Sequence, residues 1–450
     1  MSLDYLKNVF KHNQQKEAVV FNDQIYDYKF LLEKTVEWAT ILRANHIQSG
    51  SVVEVLGDFS PESIAALLAL IEHSCIIVPF SLSVKDRAEL SSIAQAEIRI
   101  AFDEKQNYTI HKLANPISVF HPILKKLKDE KKPGLILFSS GSSGKPKAIV
   151  HDFSFLLEKF EKPRTAKKMF AFLLFDHIGG LNTLLYSLYN AGTIVVTQSR
   201  NPQSICAMIE KYQVEVLPCS PSFLNLLLVS KEYENFNLKS LELVTYGTEV
   251  MPENTLKMLN NLFPWVNFQQ TYGLSEIGIL RSKSKDSQSL WVRLGGEGYQ
   301  TRVIDGMLEI KAKSAMLGYL NAANPFTDDG WFKTGDAVEV EGEFFRVKGR
   351  RSEIINVGGE KVFPGEVENV IQEMPGVCEV TVLAENHPLV GQIVKAFVKL
   401  NSKEDASIFR IRLMQYCKSR LEKFKIPQKI VLTEASLSNE RFKKIRKELV

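Results

Sequence analysis

The stretch from Ser51 to Phe80 limits the possible folds more than any other part of the chain. It reads SVVEVLG (Ser51–Gly57), then Ser60-Pro61-Glu62 opening IAALLALIEHS, then CIIVPF (Cys75–Phe80). Two short apolar strands flank a helix that starts with an N-cap serine, an N1 proline and an acid in the first turn. The same alternation begins with Ala18–Phe21 followed by KFLLEKTVEWATILRAN. It resumes at Leu135–Ser140, Gly192–Gln198, Val214–Ser220 and Leu241–Gly247. Strands separated by crossover helices predict parallel sheets and an α/β fold.

Beyond about residue 290 the pattern changes to short strands, Thr301–Val303, Leu308–Lys311, Ala337–Val340 and Phe344–Val347. Turns at Asp305-Gly306, Asp329-Gly330 and Glu341-Gly342 separate them, which predicts an antiparallel region shaped as a distorted β-barrel. From Ser352 an α+β pattern follows: a helix at Gly365–Glu373, strands Val377–Leu383 and Gln392–Leu400, a helix over Ile408–Phe424, and a strand at Lys429–Leu432. With 450 residues, the chain has room for two to four domains at roughly 100–200 residues each. The expected organisation is a core over 1–350 and a small α+β domain over 351–450, joined by a hinge at 350–352.

Charge and cysteines narrow the class. The 56 Lys and Arg nearly balance 52 Asp and Glu, for a net charge of +4, too weak a field to argue for a nucleic-acid partner. The longest apolar run, Ile64–Ile71, is far short of the roughly 20 residues that span a bilayer. The polar N-terminal stretch lacks the apolar segment of a signal peptide. The cysteines at 75, 206, 219, 378 and 417 are odd in number and never in CxxC spacing. They read as reduced thiols of a cytoplasmic enzyme.

The chemistry concentrates in motifs. Phe138-Ser139-Ser140-Gly141-Ser142-Ser143-Gly144-Lys145-Pro146-Lys147 follows a strand. Its small residues let backbone N–H groups reach an anion, and its hydroxyls can donate to phosphate oxygens. It is not a Walker A loop, because Ser139 replaces the first glycine and Pro146 the Ser/Thr. It is not a nucleophile elbow either, since neither Ser142 nor Ser143 sits between glycines at that spacing.

This loop resembles the Ser/Thr/Gly-rich signature of the adenylate-forming enzymes: acyl- and aryl-CoA synthetases, nonribosomal peptide synthetase adenylation domains and firefly-type luciferases. Further motifs of that family follow in order. Gln270-Thr271-Tyr272-Gly273-Leu274-Ser275-Glu276 is similar to its Tyr-Gly-x-Thr-Glu segment, with Ser275 replacing threonine. Gly330-Trp331-Phe332-Lys333-Thr334-Gly335-Asp336 is similar to Trp-x-x-Thr-Gly-Asp, and Gly349-Arg350 opens a segment similar to the hinge motif.

The resemblance implies a large core of stacked βαβ sheets plus a barrel, with a mobile C-terminal domain. It implies that ATP lies against Ser139, Ser140, Gly141, Ser142, Ser143, Gly144 and Lys147, with Tyr272 and Gly273 near adenine. Ser275 contacts the α-phosphate, Glu276 helps hold Mg2+, and Asp336 and Arg350 reach the ribose. Gly358 and Gly359 border a pantetheine tunnel. Ser352 stands at the hinge position, where the family carries Asp or Lys.

In Phe175-Asp176-His177-Ile178-Gly179-Gly180, His177 matches the histidine that borders the carboxylate in acyl- and aryl-CoA synthetases, while Asp176 resembles the amino-acid-activating branch. His177, Gly247, Thr248 and Glu249 should line the acid pocket, with Glu249 touching either substrate or the adenine amine. Gly179, Gly180 and Gly278 should leave it room. The tail Phe442-Lys443-Lys444-Ile445-Arg446 is similar to the family's Gly-Lys-x-x-Arg. This makes Lys443 the catalytic lysine, or Lys444 in the other register, with Phe442 in the glycine position.

The implied reaction joins a carboxylic acid to ATP as an acyl-adenylate and then to the thiol of CoA. Loading of a carrier protein's phosphopantetheine and a catalytically silent nucleotide-binding protein remain as alternatives.

Overall fold

Ser60 and Ser63 cap each other in the computed structural model, which describes residues 2–84, 86–114, 119–140, 145–439 and 442–446. The Ser60 side chain accepts from the Ser63 N–H, the Ser63 hydroxyl accepts from the Ser60 N–H, and Pro61 begins the helix Pro61–Glu72. That helix connects the parallel strands Val52–Leu56 and Ile76–Phe80. It is apolar on every side and buried from Pro61 to Ile71, as a helix enclosed between two layers must be.

Among the described residues, two seven-stranded mixed sheets supply those layers. One core unites the inner faces of both sheets with the helices Tyr28–Ala44, Pro61–Glu72 and Ile178–Tyr189. The outer face of one sheet is covered by Pro202–Tyr212, Pro221–Ser230 and Glu253–Leu262. Arg87–Ile93 and Pro122–Asp129 cover the other. The stack is therefore helix, sheet, helix, sheet, helix, as crossover connections require.

A six-stranded antiparallel sheet occupies the region expected to form the barrel. Its strands Phe332–Glu341 and Phe344–Arg350 pair so that Asp336 faces Arg350 directly. After the single turn Arg351–Glu353 the chain enters a five-stranded sheet that begins with Ile355–Val357. This sheet packs on the helices Pro364–Gln372 and Ala406–Lys418 around its own core.

Several boundaries differ from the apolar pattern, for physical reasons. The polar N-terminal stretch forms a helix, Ser2–His12, because Leu6 and Phe10 fall on one face and are buried. The expected strands at 377 and 392 extend to Val377–His387 and Gly391–Leu400. Their ladder continues past the apolar residues, out to His387 opposite Gly391. The expected helix to Phe424 stops at Lys418, and a separate turn forms at Lys423–Lys425. Among the described residues no helix is long and apolar enough to cross a membrane.

Cys75, Cys206, Cys219, Cys378 and Cys417 are free and buried. Burial pushes the thiols of Cys75 and Cys206 up to about 12 and that of Cys417 to about 11.

Gly180 shows how tightly the central helix is seated. A Cβ there would lie 2.1 Å from the Leu174 carbonyl oxygen and 2.7 Å from that of Leu173. Gly180→Ala should therefore destabilise the chain by at least about 1–3 kcal/mol, read as a lowered thermal midpoint. An unchanged midpoint would show that the 173–174 backbone yields.

Candidate active site

The strands Val216–Cys219, Leu243–Tyr246 and Asn267–Gln270 run parallel and adjacent. The chain turns out of each at its carboxyl end, into Ser220, Gly247–Glu249 and Thr271–Glu276, and open α/β sheets bind ligands at such ends. Gly247 allows the close approach: a Cβ there would stand 2.7 Å from the Thr271 hydroxyl. Thr248 takes a left-handed backbone, φ +72°. Gly273 is equally confined, since a Cβ would sit 2.5 Å from Ile279 Cδ1.

Two polar clusters grow from these loops. In the first, the Tyr272 hydroxyl donates to Asp336 Oδ2 at 2.5 Å, and Arg350 Nε meets Asp336 Oδ1 at 2.9 Å. Burial raises the Asp336 carboxyl above its usual range, while Arg350 and Tyr272 pull it back. Tyr272, expected to lie near adenine, thus also anchors the acid expected at the ribose.

In the second cluster the Tyr319 hydroxyl donates to Glu276 Oε1 at 2.9 Å. Lys147 Nζ lies 5.2 Å from the Tyr319 ring centroid. Tyr319 was not foreseen, and an isolated tyrosine carries no sequence signal that would have marked it. The loop before Glu276 is fixed from beneath by the fully buried His151, whose Nε2 lies 2.6 Å from the Ser275 carbonyl oxygen. Burial depresses the His151 ring to about 4, so it stays neutral and donates there.

Ser139 and Ser140 end the strand Gly134–Ser140, opposite Lys147 and Pro146. Gly141, Ser142, Ser143 and Gly144 lie outside the described residues. Among the described residues no cluster of three His, Cys, Asp or Glu could hold a metal by itself. Glu276 is one hard oxygen ligand, a donor set that fits a cation arriving with phosphates and keeping its waters.

A third cluster joins His177 to the tail. His177 caps the helix Ile178–Tyr189, its Nδ1 accepting from the Gly179 N–H at 3.0 Å. On the other side, its Nε2 lies 3.4 Å from Lys443 Nζ. Phe442 takes a left-handed backbone, φ +51°, the conformation that glycine adopts at no cost. Its ring packs against Phe172 and Phe223, both at 5.4 Å between centroids. Its carbonyl oxygen accepts from the Ser220 hydroxyl at 2.8 Å.

The neighbouring lysine turns the other way. Lys444 Nζ lies 2.7 Å from Glu368, which also receives Arg446 at 2.8 Å and the Val382 N–H at 2.9 Å. Burial opposes the charge on Glu368, yet Lys444 and Arg446 outweigh it and hold its carboxyl near 2. Glu368 went unnoticed in the sequence because nothing local distinguishes it from a solvated helix acid.

Three expectations change on contact with the geometry. Glu249 is committed to the Ser222 hydroxyl at 2.6 Å and the Lys444 N–H at 2.5 Å, so it fastens the tail. The space at Gly180 is filled by the 173–174 backbone and gives none to a substrate. Asp176 points to Ser81, whose N–H and hydroxyl donate to it at 3.2 and 3.0 Å, and it braces a strand end. Gly358 and Gly359 are not gathered with these clusters. They lie exposed in the turn between Ile355–Val357 and Glu360–Val362 with open space around each Cα. Where the two domains meet, Val250, Gln270, Arg346, Lys348 and Glu366 line a cavity of about 160 Å³.

The chain belongs to the AMP-binding enzyme family, whose domain matches residues 6–295 and whose C-terminal domain matches 366–444. It is 24% identical to the indoleacetate–CoA ligase of Aromatoleum aromaticum, over 96% of this chain and 94% of that protein. It is 25% identical to the 2-succinylbenzoate–CoA ligase of Bacillus subtilis, over 97% and 95%. The fold matches the anthranilate CoA ligase AuaEII, solved with anthranoyl-AMP, with a TM-score of 0.84 at 18% identity over 100% of this chain and 96% of that one. ATP-bound MatB from Rhodopseudomonas palustris gives 0.83 at 19% identity, over 100% and 98%.

The depressed pKa of Glu368 has a direct consequence. A carboxyl depressed from 4.5 to about 2 contributes stability that is present above 4.5 and lost as pH falls towards 2. Glu368→Gln should remove that pH dependence and cost about 3–5 kcal/mol, the usual penalty for breaking a buried ion network. Thermal melts between pH 6 and about 3 would check it, and matching curves for both proteins would remove Glu368 from the account.

Proposed function

We propose that this protein is an AMP-forming acid–thiol ligase that converts a carboxylic acid to its CoA thioester. The observation that carries this reading is the placement of the tail. Lys444 and Arg446 are spent on Glu368, while Lys443 alone reaches across to His177. A carboxylate placed against this pair would meet a cation and an imidazole side by side.

In the first half-reaction a carboxylate oxygen attacks the α-phosphorus of ATP and pyrophosphate leaves. Anions are brought together, so oriented donors and cations must offset their repulsion. Lys443 stabilises the charge that builds between carboxylate and α-phosphate. Asp336 accepts from the ribose hydroxyls, held in place by Arg350 and Tyr272. Lys147 and Ser139 face the phosphates beside residues 141–144. Glu276, oriented by Tyr319, would hold Mg2+, which would supply neutralising charge to the phosphates. In the second half-reaction a thiol attacks the acyl carbon and AMP leaves.

Gly358 and Gly359 must come to the cleft for that step, so the domain beyond the 350–352 hinge turns, with Ser352 at the pivot. The acceptor is CoA, as in the named ligases that span nearly the whole chain. A carrier protein's phosphopantetheine presents the same thiol and is the second acceptor to assay. With its reduced, buried cysteines the enzyme suits the cytoplasm.

Pyrophosphate exchange with a panel of carboxylic acids tests the proposal, and silence across the panel in protein that binds ATP would favour a catalytically inert homologue. Asp336→Ala should weaken ATP binding by about 1–3 kcal/mol, and an unchanged affinity would place the ribose elsewhere. Lys443→Ala and Gly359→Leu should give opposite defects. The first should slow adenylate formation by orders of magnitude yet leave supplied acyl-adenylate convertible to thioester. The second should spare exchange and block thioester formation. Loss of exchange in Lys444→Ala at constant fold stability, with Lys443→Ala active, would overturn this reading of the tail.

A further inference from the structure

Lys159 is a half-buried lysine whose ammonium, among the described residues, pairs with no carboxylate. It follows the helix Phe153–Glu158, and its Nζ donates to Asn182 Oδ1 and to the Ile279 carbonyl oxygen, the latter at 3.1 Å. The Phe160 ring lies 4.9 Å away. A largely desolvated ammonium satisfied only by neutral oxygens lacks a counter-charge, which is costly. Burial, with Arg164 and Arg281 nearby, depresses it to about 7.

Both oxygens lie close in the chain to residues expected to line the acid pocket. Asn182 lies on the helix that His177 caps, and Ile279 follows Gly278. Between Ile178 and Tyr189 only Asn182 and Tyr186 are half-buried. They are one turn apart and on the face that carries Gly179, so this side of the helix borders a cleft. Asn182 stands five residues beyond His177, about 7.5 Å along the axis. One end of a small acid at His177 and Lys443 would therefore leave its far end at Lys159.

We infer that Lys159 is a specificity residue, and that the acid activated here carries a second, distal carboxylate which Lys159 receives. Two of the three N–H donors on the ammonium are used by Asn182 and Ile279, and the third serves the incoming oxygen. Arg164 and Arg281 add favourable field for the same anion. The inference rests on the ligase reading above and names its substrate class.

The test measures pyrophosphate exchange with two matched pairs, hexanoate against adipate and phenylacetate against homophthalate. The wild type should favour the distal-carboxylate member of at least one pair by roughly ten- to a hundredfold in kcat/KM, the range of a charged hydrogen bond. Lys159→Met should erase that preference while exchange with the monocarboxylic partner persists, and Lys159→Arg should keep its sign. A wild type that prefers the monocarboxylic member of both pairs overturns the inference and leaves the ligase reading intact. So does a Lys159→Met protein that loses both members of a pair equally. Should Lys159→Met fail to fold, the wild-type preference and its persistence in Lys159→Arg decide. Silence with all four acids and a broader panel overturns the ligase reading together with this one.

Discussion

Glu368, sealed inside the C-terminal domain, binds Lys444 and Arg446 and so fixes the course of the tail. Because both neighbours on that face are tied inward, Lys443 is left to project across the domain boundary. Glu249 grips the backbone of Lys444 from the other side, and Ser220 grips the carbonyl of Phe442. Position here comes from charge kept out of water, where each pairing is strong and each unpaired group expensive. The Lys443 side chain thereby projects from a firmly held stretch of backbone.

The cluster around Asp336 uses a different device. Strand register places Asp336 opposite Arg350, so a ladder of backbone hydrogen bonds aligns acid and base before either side chain contributes. Tyr272 arrives from the carboxyl end of the parallel sheet and closes the cluster. Asp336 is thus one of the links between the six-stranded antiparallel sheet and the stacked layers, alongside the bonds from Gln269 and Gln270 to Ser282 and Ser284. Arg350 is also the last residue of its strand before the turn into the C-terminal domain, which makes the Asp336 cluster and that turn neighbours in sequence as well as in space.

Much of this was legible in the sequence, because repeating patterns encode repeating structure. The capped helix at Ser60 and the β-branched runs around it gave the layered core, and the glycine-punctuated strands gave the antiparallel sheet. Asp336, Arg350, Tyr272 and Glu276 stood out since each sits in a motif whose neighbours also match. Tyr319, Glu368 and Lys159 did not, because each acquires its role from partners far along the chain: Glu276, Lys444 and Asn182 respectively. Glycines misled in the other direction. The sequence cannot tell whether an absent side chain makes room for a ligand or for backbone, and at Gly180 it is backbone. Glu249 likewise had the chemistry of a ligand contact and is engaged by the tail instead.

The buried cysteines bear on a hazard of this kind of chemistry. An acyl-adenylate is a mixed anhydride, ready to acylate any thiolate it meets, and the enzyme must hold it while waiting for a sulfur nucleophile. All five of the chain's own thiols are enclosed, and burial keeps them protonated well above neutral pH, where a thiol is a poor nucleophile. Self-acylation on cysteine therefore has no route, and the activated acyl group waits for a thiol that enters from outside.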